Sequence, residues 1–216
     1  RALNERLAAS DPVNAVWPRD LPLSLDRLGD LAVAQGDLAG ALRRYSQSKT
    51  LRERLVASDL ANATWQRDLS VSLQNLGNLA VAQGDLTGAL LNFTESQTIA
   101  ERLAASDPDN PTWQRDLSVS HNQLGDLAVA QGDWGGALRS YTQGKAIREH
   151  LAASDPTNAA WQMDFAASWT RLGVLARRQG NVPESLCCSE EALAIVLQLA
   201  KNDPANATWQ ANHAGV

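Results

Sequence analysis

Asp26 and Asp30 stand one helical turn apart, and Cys187 adjoins Cys188. With His121, His150 and His213, these are the residues whose types could do chemistry. Two carboxylates at i,i+4 could touch a cation, but two ligands alone make a weak site, and a solvated acidic patch is the plainer reading. Neighbouring cysteines on a helix point in different directions, so they are poorly placed to bridge each other or to chelate zinc. No cation beside them marks an activated thiolate, and inert thiols are expected. Catalysis needs groups converging on one pocket, and none of the three histidines lies at nucleophile or metal spacing. The glycines of the recurring "QGD" read as helix punctuation rather than as a phosphate cradle. The expectation is therefore no enzyme, no cofactor and no metal.

The bulk properties narrow the classes further. Apolar residues make up 44% of the 216 and charged residues 20%, ordinary values for a folded chain. A net charge of -5 leaves no electrostatic footprint for nucleic acid. No apolar run approaches the roughly 18 residues that span a bilayer, and no signal peptide is visible. The sparse cysteines suit a reducing cytoplasm. The first residue is Arg1 rather than Met, so a piece of a longer protein is expected.

What must position any functional residue is a repeat. "WQRDLSVSLQNLGNLAVAQGD" begins at Trp65 and "WQRDLSVSHNQLGDLAVAQGD" at Trp113; they differ only at Leu73/His121, Gln74/Asn122, Asn75/Gln123 and Asn78/Asp126. Trp17, Trp65, Trp113, Trp161 and Trp209 are each separated by 48 residues. Four units follow, 17–64, 65–112, 113–160 and a divergent 161–208. Residues 1–16 match 49–64 and so belong to the second helix of a preceding unit, while 209–216 restart a further one. Within a unit Trp65, Leu69, Leu73, Leu76 and Ala80 draw one helical stripe, and Leu86, Ala89, Leu90, Phe93, Ile99 and Leu103 draw a second. Between them Gly84 suits a left-handed C-cap and Asp85 an N-cap. Asn110 followed by Pro111 reads as cap plus first helical residue. Each unit is thus two antiparallel helices, with no strand signal.

"LGNLAVAQGDLTGALLNF" resembles the core of a tetratricopeptide repeat, with Leu76, Gly77, Ala80, Gly84, Ala89 and Phe93 at that family's signature spacings. The same register holds at Leu28, Gly29, Ala41 and Tyr45, and at Leu124, Gly125, Ala137 and Tyr141. Unit four keeps Leu172 and Gly173 but has Ser185 and Ser189 where the others have a small and an aromatic residue. The resemblance implies an all-α, right-handed superhelix of antiparallel helix pairs, one solenoid domain. The family's period is about 34 residues, so each helix here gains about a heptad. Seven residues turn a helix by about 700°, about 20° short of two full turns, which lengthens it without rotating its buried face away. Helices of about 20 residues are expected. Gly29, Gly77, Gly125 and Gly173 fall mid-helix, where glycine costs about 1 kcal/mol relative to alanine, and close approach of a partner helix would offset that. The repeated tryptophans are expected to wedge between consecutive units. Asp20, Asp68, Asp116 and Asp164 suggest surface or inter-unit ion pairs.

The variable stripe remains. Asp26/Arg27/Asp30, Gln74/Asn75/Asn78, Asn122/Gln123/Asp126 and Thr170/Arg171/Val174 share one helix face, at positions that line the concave groove in tetratricopeptide proteins. All but Val174 can hydrogen-bond, and a scaffold that repeats while one stripe varies suits a recognition surface; free drift of exposed positions would give the same pattern. The lysines of the family's chaperone-tail clamp are missing, so a mixed polar or partly basic peptide fits better. His121 and Trp169 replace Leu25 and Leu73 and read as core residues. Arg177 and Arg178 stand where other units have Val and Ala, so unit four either becomes a polar end cap or contacts something distinct. The expected function is a protein-interaction scaffold in the cytoplasm, and the resemblance implies a module of a larger bacterial-type assembly or signalling protein. A regulatory array beside an effector enzyme, and more remotely a small-molecule or metal binder, are the alternatives. No nucleic-acid or membrane partner is expected, and cut ends could associate end to end.

Overall fold

A computed structural model describes residues 17–202, with side chains from residue 20 onward. Residues 1–16 and 203–216, with the side chain of Trp17 and all of Trp209 and His213, lie outside the described residues. The rest forms eight α-helices: α1 (Trp17–Ala34), α2 (Leu38–Ser58), α3 (Ala63–Ala82), α4 (Leu86–Ser106), α5 (Pro111–Gln131), α6 (Trp134–Ser154), α7 (Ala159–Arg178) and α8 (Val182–Asn202). No strand occurs among the described residues. Their lengths, 18 to 21 residues, are those expected of the inserted heptads.

Two kinds of punctuation set the hairpins. Within a hairpin, Gly36, Gly84, Gly132 and Gly180 sit at φ of 76°, 76°, 75° and 78°, the left-handed region that only glycine enters freely. The next residue then caps the second helix: the Asp37 carboxylate accepts from the Gly40 amide at 2.7 Å, and Asp85 and Asp133 do the same for Gly88 and Gly136 at 2.9 and 2.8 Å. Between hairpins, Asn62, Asn110 and Asn158 cap the amides of Trp65, Trp113 and Trp161 at 3.1, 3.3 and 3.2 Å. Each of those tryptophans therefore lies in the first turn of its helix. They are half-buried rather than sealed in a core.

The described residues divide into two compact units, one up to residue 106 and the other from residue 107. In the first, α1 and α2 pair, α3 and α4 pair, and α3 also packs on α2. Its interior holds Leu25, Leu69, Leu73, Leu76, Phe93, Ile99 and Leu103. Buried serines let the helices close up: the Ser70 and Ser96 hydroxyls meet at 2.8 Å, and Ser48 and Ser72 at 3.4 Å. The second unit repeats the plan with α5–α6, α7–α8, and α7 on α6. There Ala128, Ala137, Tyr141 and Leu175 form a buried cluster flanked by Val129 and Leu172.

The mid-helix glycines have a steric reason. A Cβ on Gly125 would lie 2.5 Å from the Tyr141 ring, and Cβ atoms on Gly29 and Gly77 would run equally into Tyr45 and Phe93. Each glycine lets an aromatic ring from the paired helix lie on its backbone, which offsets the conformational cost.

Candidate partner-binding face

The variable stripe separates into three rows, and in the first of them two of the four residues turn inward. In the row of Asp26, Gln74, Asn122 and Thr170, Asp26 is 5% exposed and Asn122 4%. Asp26 turns inward because α2 presents Arg52, itself buried, whose Nη1 lies 2.7 Å from the Asp26 Oδ2 and also donates to the Ser72 hydroxyl. Burial raises the Asp26 carboxyl above its ordinary value, with the Ser48 hydroxyl and the Arg52 guanidinium acting against the rise. Asn122 faces Gly144 on α6, and neither its Oδ1 nor its Nδ2 has a hydrogen-bond partner. Gln74 is half-buried and donates to the Ser96 hydroxyl at 3.2 Å. Thr170 is exposed, its hydroxyl donating to the Ala166 carbonyl at 3.2 Å. Asp26 and Asn122 are thus closed to a partner, a correction to the sequence expectation. The cause is the second helix, which supplies a buried arginine in one case and a glycine permitting close approach in the other.

The remaining rows stay on or near the surface. Arg27 is exposed, and Asn75, Gln123 and Arg171 are half-buried. Asp30, Asn78, Asp126 and Val174 are exposed. Asp30 accepts the Tyr45 hydroxyl at 2.7 Å, and Asp126 accepts that of Tyr141 at 2.6 Å. Burial first, and the adjacent carboxylate second, hold both phenols far above their usual range. The Arg171 Nη2 reaches across from α7 to Asp126 on α5 at 3.2 Å, which places the first helices of that unit side by side on this face.

No reaction centre assembles among the described residues. Asp26 and Asp30 do not converge, one being held by Arg52 and the other by Tyr45. Among the described residues, no group of three or more His, Cys, Asp or Glu side chains is placed to hold a metal. Cys187 is exposed and Cys188 buried, both as free thiols. Burial, then the Glu184 carboxylate, raises the Cys188 thiol, which disfavours the nucleophilic thiolate. His150 is exposed, and His121 is buried. Trp169 is half-buried and carries the Lys145 ammonium 4.0 Å from its ring centroid, with Phe165 tilted beside it. Of the recurring aspartates, Asp164 pairs with the Arg115 Nε at 2.7 Å.

A concavity of the second unit lies along α7 and α8. It holds about 860 Å³ and is lined by residues including Asp126, Ala166, Arg171, Val174, Ser189 and Val196. Sequence reading singled out the serines and arginines of this hairpin but not the cavity they leave. It also missed Arg52 and Arg148, which look like surface residues in "TLRERL" and "AIREHL" yet are 6% and 7% exposed. Arg148 donates to the Ser118 hydroxyl at 3.1 Å, the Asp164 carbonyl at 3.0 Å and the Ser168 hydroxyl at 3.4 Å.

No protein-family model matches the chain, and neither does a curated protein. Among solved structures it is similar to BtubC (BKLC) from P. vanneervenii, at 16% identity over 94% of this chain and 88% of that one, with a TM-score of 0.56. A MamA protein aligns at 15% identity over 85% of this chain and 96% of its own, with a TM-score of 0.40. TTC0263, a thermophilic TPR protein of Thermus thermophilus, aligns at 17% identity over 90% and 97%, with a TM-score of 0.35. Paired helices whose signature glycines carry the signature aromatics decide the architecture. The fold is tetratricopeptide-like. In this tetratricopeptide-like frame the glycine–aromatic contacts and the Asp and Asn caps are framework. Along the two outer rows the chemistry changes from hairpin to hairpin at or near the surface.

Proposed function

We propose that this chain is a protein-interaction scaffold, each of its two units presenting the face of its first helices to a peptide or protein partner. The contacting residues are Arg27 and Asp30 on α1, Asn75 and Asn78 on α3, Gln123 and Asp126 on α5, and Thr170 and Arg171 on α7. One observation carries the reading: these side chains are polar, exposed or half-buried, and change as a set from hairpin to hairpin, on a framework whose caps and glycine–aromatic contacts largely recur. Such a face offers hydrogen bonds and charge without a catalytic pocket, and extended or helical ligands use faces of this kind.

The test replaces Arg27, Asn75, Asn78 and Gln123 together by alanine. Asp126 is left in place because it braces Tyr141 and Arg171. Affinity capture with the wild-type chain identifies a retained protein, which is then titrated against both forms. The expected result is loss of binding with a nearly unchanged urea midpoint. Unchanged affinity, or a large loss of stability, would mean that these side chains serve the packing instead.

A further inference from the structure

Two hairpins bury an arginine at the same place, and only one of them supplies a carboxylate for it. Arg52 on α2 lies 2.7 Å from the Asp26 carboxylate, which the Ser48 hydroxyl also bonds. Two hairpins later, Arg148 on α6 is 7% exposed and meets the Ser118 hydroxyl, the Ser168 hydroxyl and the Asp164 carbonyl. Asn122 stands where Asp26 does, and Gly144 where Ser48 does. One exchange removes the charge and the other removes the hydroxyl. Among the described residues, no carboxylate is bonded to Arg148. The site is interior rather than terminal, because α6 is packed by both α5 and α7.

A donor and a charge are left over there. The Asn122 side chain is 4% exposed, and neither its Nδ2 nor its Oδ1 has a hydrogen-bond partner. Its Oδ1 lies 3.1 Å from where a Cβ on Gly144 would be, and Ser118, one turn earlier on α5, takes the Arg148 Nε. Ser118 and Asn122 therefore face Gly144 and Arg148, each pair being neighbours along its own helix. The charges felt by Arg148 are those of Asp164 and Asp126 on one side and of Arg171 and Arg115 on the other. Both carboxylates are already engaged, Asp164 by Arg115 at 2.7 Å and Asp126 by Tyr141 and Arg171. Three arginines thus stand against two carboxylates, and a buried charge is costly unless it is paired.

We propose that Asn122 and Arg148 hold a small inorganic anion, chloride, between α5 and α6, in the place that the Asp26 carboxylate takes in the first hairpin. The Asn122 Nδ2 and the guanidinium are N–H donors, the groups that an anion accepts from. Depth selects the size: residues 4% and 7% exposed admit a monatomic ion and exclude a peptide carboxylate or a phosphoester. The Asn122 Oδ1 and the Ser118 carbonyl crowd Gly144 itself, so the ion belongs on the Arg148 side of that turn. The inference does not rest on the scaffold reading, and neither Asn122 nor Arg148 belongs to the face assigned to the partner.

The test uses the full chain with sodium chloride as the probe and sodium gluconate holding the ionic strength constant. Urea denaturation should show wild type stabilised as chloride replaces gluconate. Above the dissociation constant, each tenfold rise in chloride should lower the unfolding equilibrium constant about tenfold. Asn122→Asp supplies the carboxylate as the first hairpin does. It should abolish that dependence and be at least as stable without chloride as the wild type is. Hydrogen exchange should place the chloride-dependent protection in α5 and α6 rather than in α1 and α2. Chloride nuclear magnetic resonance should show a line broadened by the wild type and not by Asn122→Asp. A wild type indifferent to the exchange of chloride for gluconate would overturn the proposal and leave an ordered water at Asn122. A chloride response that persists in Asn122→Asp would also overturn it. So would failure of that variant to fold, since a carboxylate that replaces the ion beside Arg148 cannot unfold the chain.

Discussion

The two units share a ground plan, yet each buries its arginine differently. In the first, Arg52 meets a carboxylate, Asp26, at 2.7 Å. In the second, Arg148 occupies the corresponding place, but the position of Asp26 is taken by Asn122, and the guanidinium is met by hydroxyls and a carbonyl. Desolvation lowers the affinity of Arg148 for its proton, while Asp164 acts to raise it. The second hairpins differ too. Phe93 lies on Gly77 in the first unit, whereas in the second no ring lies on Gly173, which Cys188 approaches instead. One ground plan therefore tolerates a charge pair or a neutral network at the same depth, and a filled or an empty ring site. Polar capacity is left unspent at the Asn122 amide in the second unit, as at the Asp26 Oδ1 in the first.

The largest effect expected from this contrast comes from stranding Arg52. Asp26→Ala leaves a buried guanidinium without its carboxylate and should cost about 3–5 kcal/mol, as removal of one member of a buried pair does. Asn122→Ala should stay within about 1 kcal/mol, because no hydrogen bond is lost with an amide that makes none. Urea denaturation, with hydrogen exchange to assign the change to α1–α2 or to α5–α6, measures both. Equal costs at the two positions would erase the distinction between the units.

The glycines give a smaller contrast. Gly77→Ala forces a methyl group into the Phe93 ring and should destabilise by about 1–3 kcal/mol, the usual range for overpacking. Gly173→Ala has only to move the Cys188 side chain by a few tenths of an ångström. Its helix-propensity gain of about 1 kcal/mol should leave the net change near zero. Thermal unfolding of the two variants side by side decides it. A Gly173 variant as damaged as the Gly77 one would show that α8 is packed as tightly as α4.

How much of this was legible beforehand follows from what recurs. Trp65, Gly84, Asp85 and Asn110 act through local backbone geometry, so their spacing alone placed helices and caps. The glycine–aromatic contacts were implied by position, since Gly77 and Phe93 hold one register in three hairpins. Asp26 was misread because its surroundings are set by Arg52, twenty-six residues away on another helix. An arginine within "TLRERL" carries no sign that it turns inward. Asn122 was misread for a similar reason, since its surroundings are set by Gly144 on α6, where two other hairpins carry a serine. Half-burial of Trp65, Trp113 and Trp161 likewise reflects packing rather than sequence, and Trp161→Ala should cost less than the about 3–5 kcal/mol of a sealed aromatic.

The subtlest way to separate the units is by pH, because only one of the two buried positions titrates. Burial raises the Asp26 carboxyl above its ordinary value of 3.8, so the folded chain holds that proton more tightly than the unfolded chain. The stabilisation this provides is complete when the group is protonated and is lost as pH rises through the folded value. In the window just above pH 3.8 the wild type should therefore lose stability with rising pH relative to Asp26→Asn, which cannot titrate. Asn122→Ala should show no such difference from wild type, its position being neutral throughout. Urea midpoints across that window for the three proteins give the answer. A difference of opposite slope would mean that attraction to Arg52 outweighs desolvation, and the first unit's charge pair would then be a source of stability rather than a burden its neighbours offset.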